Sequence, residues 1–338
     1  PTTESPERIG PLYVRGTNAV NSHGAECLVA TTPDGREANV WRWPAAKLDG
    51  LVIPSLALLI ETLQDVSMAG VARIVHGSVA TDHAVIAYTR PMGQTLSDYL
   101  RRGKTSPIEA VTSALTLMDG LAAMRALGVR GAWWTPDSLW AMDDEAQWTL
   151  AAPGLVSVLR GGHDATVSDI AFRAPEAATL STVADTSEQT YTAIEVYAIG
   201  ATLYYALSQR FPFDCDTVDA YVQAQQGEEA VRLDGLFDHL APYEHLVDVV
   251  ASCLDADPSA RPESLEALRR VLEDAEREVR YQHSRVDFLP ARVSETFEMQ
   301  RPGRTGESED THPGGRSSFL PLLALIALIT IALFLIGR

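Results

Sequence analysis

Apolar residues along this chain fall into two regimes. Residues 11 to 92 carry short apolar runs separated by turn signals, with Pro33-Asp34-Gly35 between two of them. One stretch, Leu56 to Leu63, has helical spacing instead. Together these predict a small antiparallel sheet with one helix. From Thr95 onward the period is helical. Ile108, Val111, Leu115, Met118 and Ala122 recur at three-to-four spacing and predict one apolar face. Val196 to Leu207, VYAIGATLYYAL, is apolar on all sides, which predicts a helix buried all round. A final amphipathic helix follows Arg261-Pro262 and turns Leu265, Leu268, Val271 and Leu272 inward.

The C-terminal part has a different character. Residues 274–318 read as a flexible linker, with a tract from 281 rich in Arg, Glu, Ser, Gly and Pro. Residues 319–336, FLPLLALIALITIALFLI, hold no charge and would make about 27 Å of helix, the thickness of a bilayer core. A transmembrane helix is predicted there, with Pro321 in its first turn, where a missing N–H costs little. Arg301, Arg304 and Arg316 precede it and only Arg338 follows, so the N-terminal domain is expected in the cytoplasm of a single-pass inner-membrane protein.

Composition narrows the function classes. The chain has 338 residues, is 46% hydrophobic and 21% charged, and carries a net charge of −18. So acidic a surface repels phosphate backbones, and no nucleic-acid partner is expected. Cys27, Cys215 and Cys253 are odd in number and widely spaced, the usage of reduced thiols. The eight histidines show no metal-ligand spacing, so no metal or cofactor is expected.

Three segments carry a resemblance to a known family. Phe172-Arg173-Ala174-Pro175-Glu176 looks like the APE motif that closes a kinase activation segment. Glu195 to Phe213, EVYAIGATLYYALSQRFPF, is similar to the central kinase helix and the loop after it. Cys253 to Pro262, CLDADPSARP, resembles the last conserved kinase segment. In that order and spacing they resemble bacterial eukaryotic-like (Hanks-type) Ser/Thr protein kinases over about residues 11–273. The resemblance implies an α+β, two-lobed kinase-like fold. Its tail is 1–10, its sheet lobe about 11–92 and its helical lobe about 93–273. It also implies a buried ion pair between Glu176 and Arg261, and a structural role for Glu195 at the start of the central helix.

The same resemblance locates the positions where the family keeps its chemistry. REANVWRW (36–43) is similar to the third strand and puts Trp41 at the lysine, with Asn39 facing the cleft beside it. GVRGAWWTPDSLW (128–140) is similar to the catalytic loop. There Gly131, Ala132 and Trp133 stand for HRD, Thr135 for the loop lysine and Ser138 for the magnesium-binding asparagine. WTLAAPGL (148–155) resembles the DFG segment, with Ala152 at the aspartate. Asn21 to Glu26 lacks the glycine spacing that cradles phosphates.

These departures imply a pseudokinase: a catalytically inactive, membrane-tethered homologue that serves as a protein-interaction or regulatory scaffold. Trp41 and Trp133 would fill the nucleotide cleft, and ATP binding would be unlikely. Its partner would be a protein, either a kinase or a phosphoprotein-binding domain. The alternative is an active or atypical membrane-bound Ser/Thr protein kinase.

Overall fold

The computed structural model describes residues 7–20, 25–44, 48, 52–103, 105–130, 134–142, 147–151, 166–178 and 187–287. The predicted transmembrane helix, 319–336, lies outside the described residues, among which no helix is long and apolar enough to cross a membrane.

The sheet lobe is built from hairpins. Strands β1 (Arg8–Ile9), β2 (Leu12–Val20), β3 (Glu26–Thr31), β4 (Glu37–Pro44), β5 (Ile74–Val79) and β6 (His83–Thr89) form one antiparallel sheet in the order β1-β2-β3-β4-β6-β5. The β3–β4 connection is the expected turn. Gly35 takes φ +85°, and the Thr32 amide donates to the Arg36 carbonyl at 2.9 Å. Helix α1 (Val52–Leu63) covers one face with Leu56, Leu59, Ile60 and Leu63, all buried. Alternation along each strand separates two cores. Trp43, Ile86 and Tyr88 face α1 and the helical lobe, whereas Leu28, Val40, Val85 and Ala87 pack on the outer face with Leu12 and Ile9. The tail boundary at residue 10 is therefore corrected: Arg8–Ile9 pairs as a strand, and Ile9 is buried on the outer face. A two-residue strand is too short to show a period.

A second, three-stranded sheet joins the lobes: β7 (Gln94–Thr95), β8 (Leu139–Ala141) and β9 (Trp148–Leu150). The amides of Ala72 and Leu150 bond the carbonyls of Leu150 and Gly70 at 2.9 and 2.8 Å, tying the chain before β5 to β9.

The helical lobe centres on α5 (Glu188–Ser208), whose residues are buried almost without interruption from Tyr191 to Ser208, as its all-round apolar sequence predicts. Gly200 allows this helix to sit against α8 (Glu244–Cys253), since a Cβ there would strike the Cys253 Cβ. The other helices are α2 (Leu96–Leu100), α3 (Pro107–Ala126), α4 (Val167–Ile170), α6 (Val218–Gly227), α7 (Leu233–Leu236) and α9 (Leu265–Asp287).

Two sequence expectations shift here. Helix α3 starts at a capping box in which Ser106 and Glu109 bond each other's amides at 3.3 and 2.9 Å. It then buries Ala110, Ala114, Leu117, Leu121 and Met124 along with Val111 and Met118, while Ala122 is exposed. Packed by both α5 and α9, α3 has no single apolar face for the period to report. The linker boundary at 274 also moves. Helix α9 runs on to Asp287 because Leu265, Leu268, Leu272, Ala275 and Val279 form one buried stripe, whose last two members sit amid charged residues.

Candidate functional site

The Arg261 guanidinium is buried in the helical lobe and bonded on several sides. Its side chain has no solvent exposure and forks onto Glu176, Nη1 to Oε1 at 2.7 Å and Nη2 to Oε2 at 3.0 Å. Nε donates to the Asp255 carbonyl at 2.8 Å and Nη1 also to the Ala193 carbonyl at 2.9 Å. The cation lies 5.0 Å from the Tyr197 ring centroid. Three chain segments, the 3-10 turn Pro175–Ala178, α5 and the loop before α9, thus meet at one planar charge whose donors are satisfied by geometry.

Glu195 is also buried and its carboxylate pairs with Arg125 at the end of α3. Arg125 further reaches Thr192 and Glu188, each at 3.2 Å, and Arg130 reaches Glu188 at 2.9 Å. No spacing in the sequence announces Arg125, because its partners lie about seventy residues away. This cluster fixes the end of α3, and so the approach to the loop that resembles the catalytic loop, against the central helix.

In that loop, Trp134 is buried and its indole N–H donates to Thr202 Oγ1 of α5 at 2.9 Å. Thr135 and Ser138 are both buried and their hydroxyls bond each other at 2.9 Å. The Ala151 amide closes on the Ser138 carbonyl at 2.7 Å. Both polar side chains are therefore turned into the protein and engaged with each other. Trp133 and Ala152 lie outside the described residues.

Trp41 sits on β4 opposite Ile86, with its ring edge-on to Trp43 at 5.8 Å and to Tyr88 at 6.4 Å. It is half-buried, whereas Trp43 is wholly enclosed. Asn39 pairs with Tyr88 in the ladder, and burial drives the Tyr88 pKa upward. Tyr88 was not singled out from the sequence, although strand alternation places it on the face of Asn39. Glu61 of α1 is exposed, as a surface charge.

A kinase-type fold implies magnesium held beside nucleotide phosphates. The described residues do not fit that ion. Ser138 is neutral and already bonded to Thr135, and no group of three or more His, Cys, Asp or Glu side chains stands ready to bind a metal among the described residues.

A sheet lobe with one covering helix, a bridging small sheet and a helical lobe around a buried central helix define the fold of a protein kinase. Solved structures with that fold include Rad53 in complex with AMP-PNP, at TM-score 0.60 and 17% identity, covering 78% of this chain and 65% of that one. The PknI kinase domain of Mycobacterium tuberculosis matches at TM-score 0.60 and 13% identity, covering 81% and 99%. No family model matches the chain. Among curated proteins, it is 26% identical over 214 residues to the serine/threonine-protein kinase Pkn2 of Myxococcus xanthus, across 62% of this chain. It is 24% identical over 303 residues to the probable serine/threonine-protein kinase PkwA of Thermomonospora curvata, across 88% of this chain. The chain spans only 26% and 38% of those two relatives.

The resemblance to bacterial Hanks-type Ser/Thr kinases is thereby supported in both sequence and fold. The expectation of a non-enzyme is corrected by the same findings, since both relatives are named as kinases and point to an enzyme.

Proposed function

We propose that this chain is an atypical bacterial Ser/Thr-kinase-like signalling protein, one that binds ATP and works in phosphoryl transfer at a membrane. The observation that carries it is the desolvated bonding of Arg261 and Glu176 across three chain segments, which supports the helical-lobe geometry of the kinases the chain resembles. The naming of both curated relatives as Ser/Thr kinases supports the same function.

This function sets a chemical condition. By the resemblance, Trp41 stands at the position of the phosphate-binding lysine and Ser138 at that of the magnesium-binding asparagine, and neither supplies what those residues do. Phosphate-neutralising groups must then come from other residues or from a bound protein partner, such as a second kinase or a phosphoprotein-recognising domain. The test is a thermal shift of the full chain with millimolar ATP, with and without magnesium, followed by transfer of labelled phosphate to the chain or to a Ser/Thr substrate. ATP at a hundredfold its Kd should stabilise the fold by about 2.7 kcal/mol. An unmoved melting curve would remove ATP binding.

A second reading rests on the closed loop and the aromatic cluster. With Thr135 bonded to Ser138, and Trp41 engaged by Trp43 and Tyr88, the lobes also suit an interaction scaffold. In-cell crosslinking that captures one protein, lost on disrupting the helical lobe, would favour it.

Membrane attachment belongs to the same proposal and rests on the uncharged segment 319–336. Deleting residues 319–338 is expected to move the protein from the membrane fraction to the soluble fraction without changing its melting curve. Retention on membranes at high salt would require another anchor.

A further inference from the structure

The outer face of the six-stranded sheet, away from the helical core, holds a cavity of about 410 Å³ between the β1–β2 hairpin and strands β4, β5 and β6. Two features build it. The hairpin turns at Gly10, which takes φ +54°, and a Cβ there would run into the His76 ring, so glycine lets the hairpin close over that imidazole. Ile9 and Val85, both buried, then form an apolar floor.

The walls above that floor are polar and of one kind. Arg8 and Arg42 contribute guanidinium groups, His76 and His83 imidazoles, and Ser78 a hydroxyl. No carboxylate lines the cavity, although the chain as a whole carries −18. Arg42 is held from behind by Glu26, at 2.9 Å from Nε and 2.6 Å from Nη2, and by Glu7 at 2.5 Å from Nη1. Its charge is offset and its fork is fixed. Arg8 differs. It lies over the Tyr13 ring at 4.5 Å, donates to the Tyr13 hydroxyl at 3.1 Å and meets no carboxylate among the described residues. Burial pushes the His76 pKa below its ordinary value, so at neutral pH this ring is an uncharged hydrogen-bonding group. His83 is oriented by Asp82 at 2.7 Å.

We propose that this cavity binds a small organic anion, a single carboxylate or phosphate headgroup on a short apolar body. One unoffset cation, Arg8, suits one negative charge, with the fixed fork of Arg42, the imidazoles and Ser78 as further donors. The Ile9–Val85 floor suits the hydrocarbon part, and the volume falls in the usual range for small ligands. The site lies on the opposite face of the sheet from Trp41 and Tyr88, so it is separate from the proposed nucleotide function.

Calorimetry on the full chain with acetate, butyrate, hexanoate and inorganic phosphate tests it. Saturable binding is expected to strengthen by roughly fourfold per added methylene, the gain for burying one CH₂ on an apolar floor. Arg8→Ala should weaken hexanoate at least tenfold with an unchanged melting curve, and Ser78→Leu, which fills the cavity from its wall, should abolish it. Carboxylates and phosphate are distinguished by comparing butyrate with a propyl phosphate of matched length. ATP should not compete. Equal affinity for acetate and hexanoate, undiminished binding in either variant, or displacement by ATP would each overturn the site.

Discussion

Arg261→Ala is expected to lower the stability of the helical lobe by about 3–5 kcal/mol, read as a fall in the denaturation midpoint at unchanged slope. The size follows from what stays behind. Removing the guanidinium leaves the Glu176 carboxylate without its forked partner and strips donors from the carbonyls of Asp255 and Ala193. Arg261 has no solvent exposure and Glu176 has only 18%, so water cannot easily take over. Arg261→Lys should recover part of the loss, since an ammonium keeps the charge but cannot hold two carboxylate oxygens and two carbonyls in one plane. A change of a few tenths for alanine would mean that the pair contributes nothing net. The kinase-like placement of these two segments would then lose its physical support.

Trp43→Ala should cost about 3–5 kcal/mol, and Trp41→Ala clearly less. The two indoles are two residues apart on β4 and their rings are 5.8 Å apart, yet their surroundings differ. Trp43 is wholly enclosed by the core shared with α1, so alanine there leaves a cavity. Trp41 is half-buried, so solvent can occupy part of the vacated volume. The double replacement should depart from the sum of the singles, because the rings share one contact. Equal costs at the two positions would place Trp41 in the core and remove it from the cleft lining. A Trp41→Ala protein that gains ATP affinity would show directly that the indole occupies space the nucleotide needs.

Sequence alone carried far in the helical lobe. Residues 196–207, apolar on every side, could be stable only as a buried helix, and Glu176 and Arg261 were paired through the motifs around them. It carried less where the determining partner is distant. Ala275 and Val279 are small or isolated among charges, and their burial depends on α3 lying beside them. Arg125 reads as an ordinary helix-end arginine until folding brings it to Glu195. Ile9 gives no period at all. The resemblance puts Trp41 in the lysine's place, but its partial burial and its edge-on contact with Tyr88 depend on the register of β4 against β6.

The division has one physical cause. Periodicity, turn chemistry and motif spacing are properties of neighbouring residues, so the sequence by itself determined the two lobes and the buried central helix. Burial and pairing across many residues are properties of packing. Only the tertiary structure could decide that Thr135 and Ser138 close on each other, that Arg125 neutralises Glu195, and that Arg8, Arg42 and two histidines line one cavity on the outer face of the sheet.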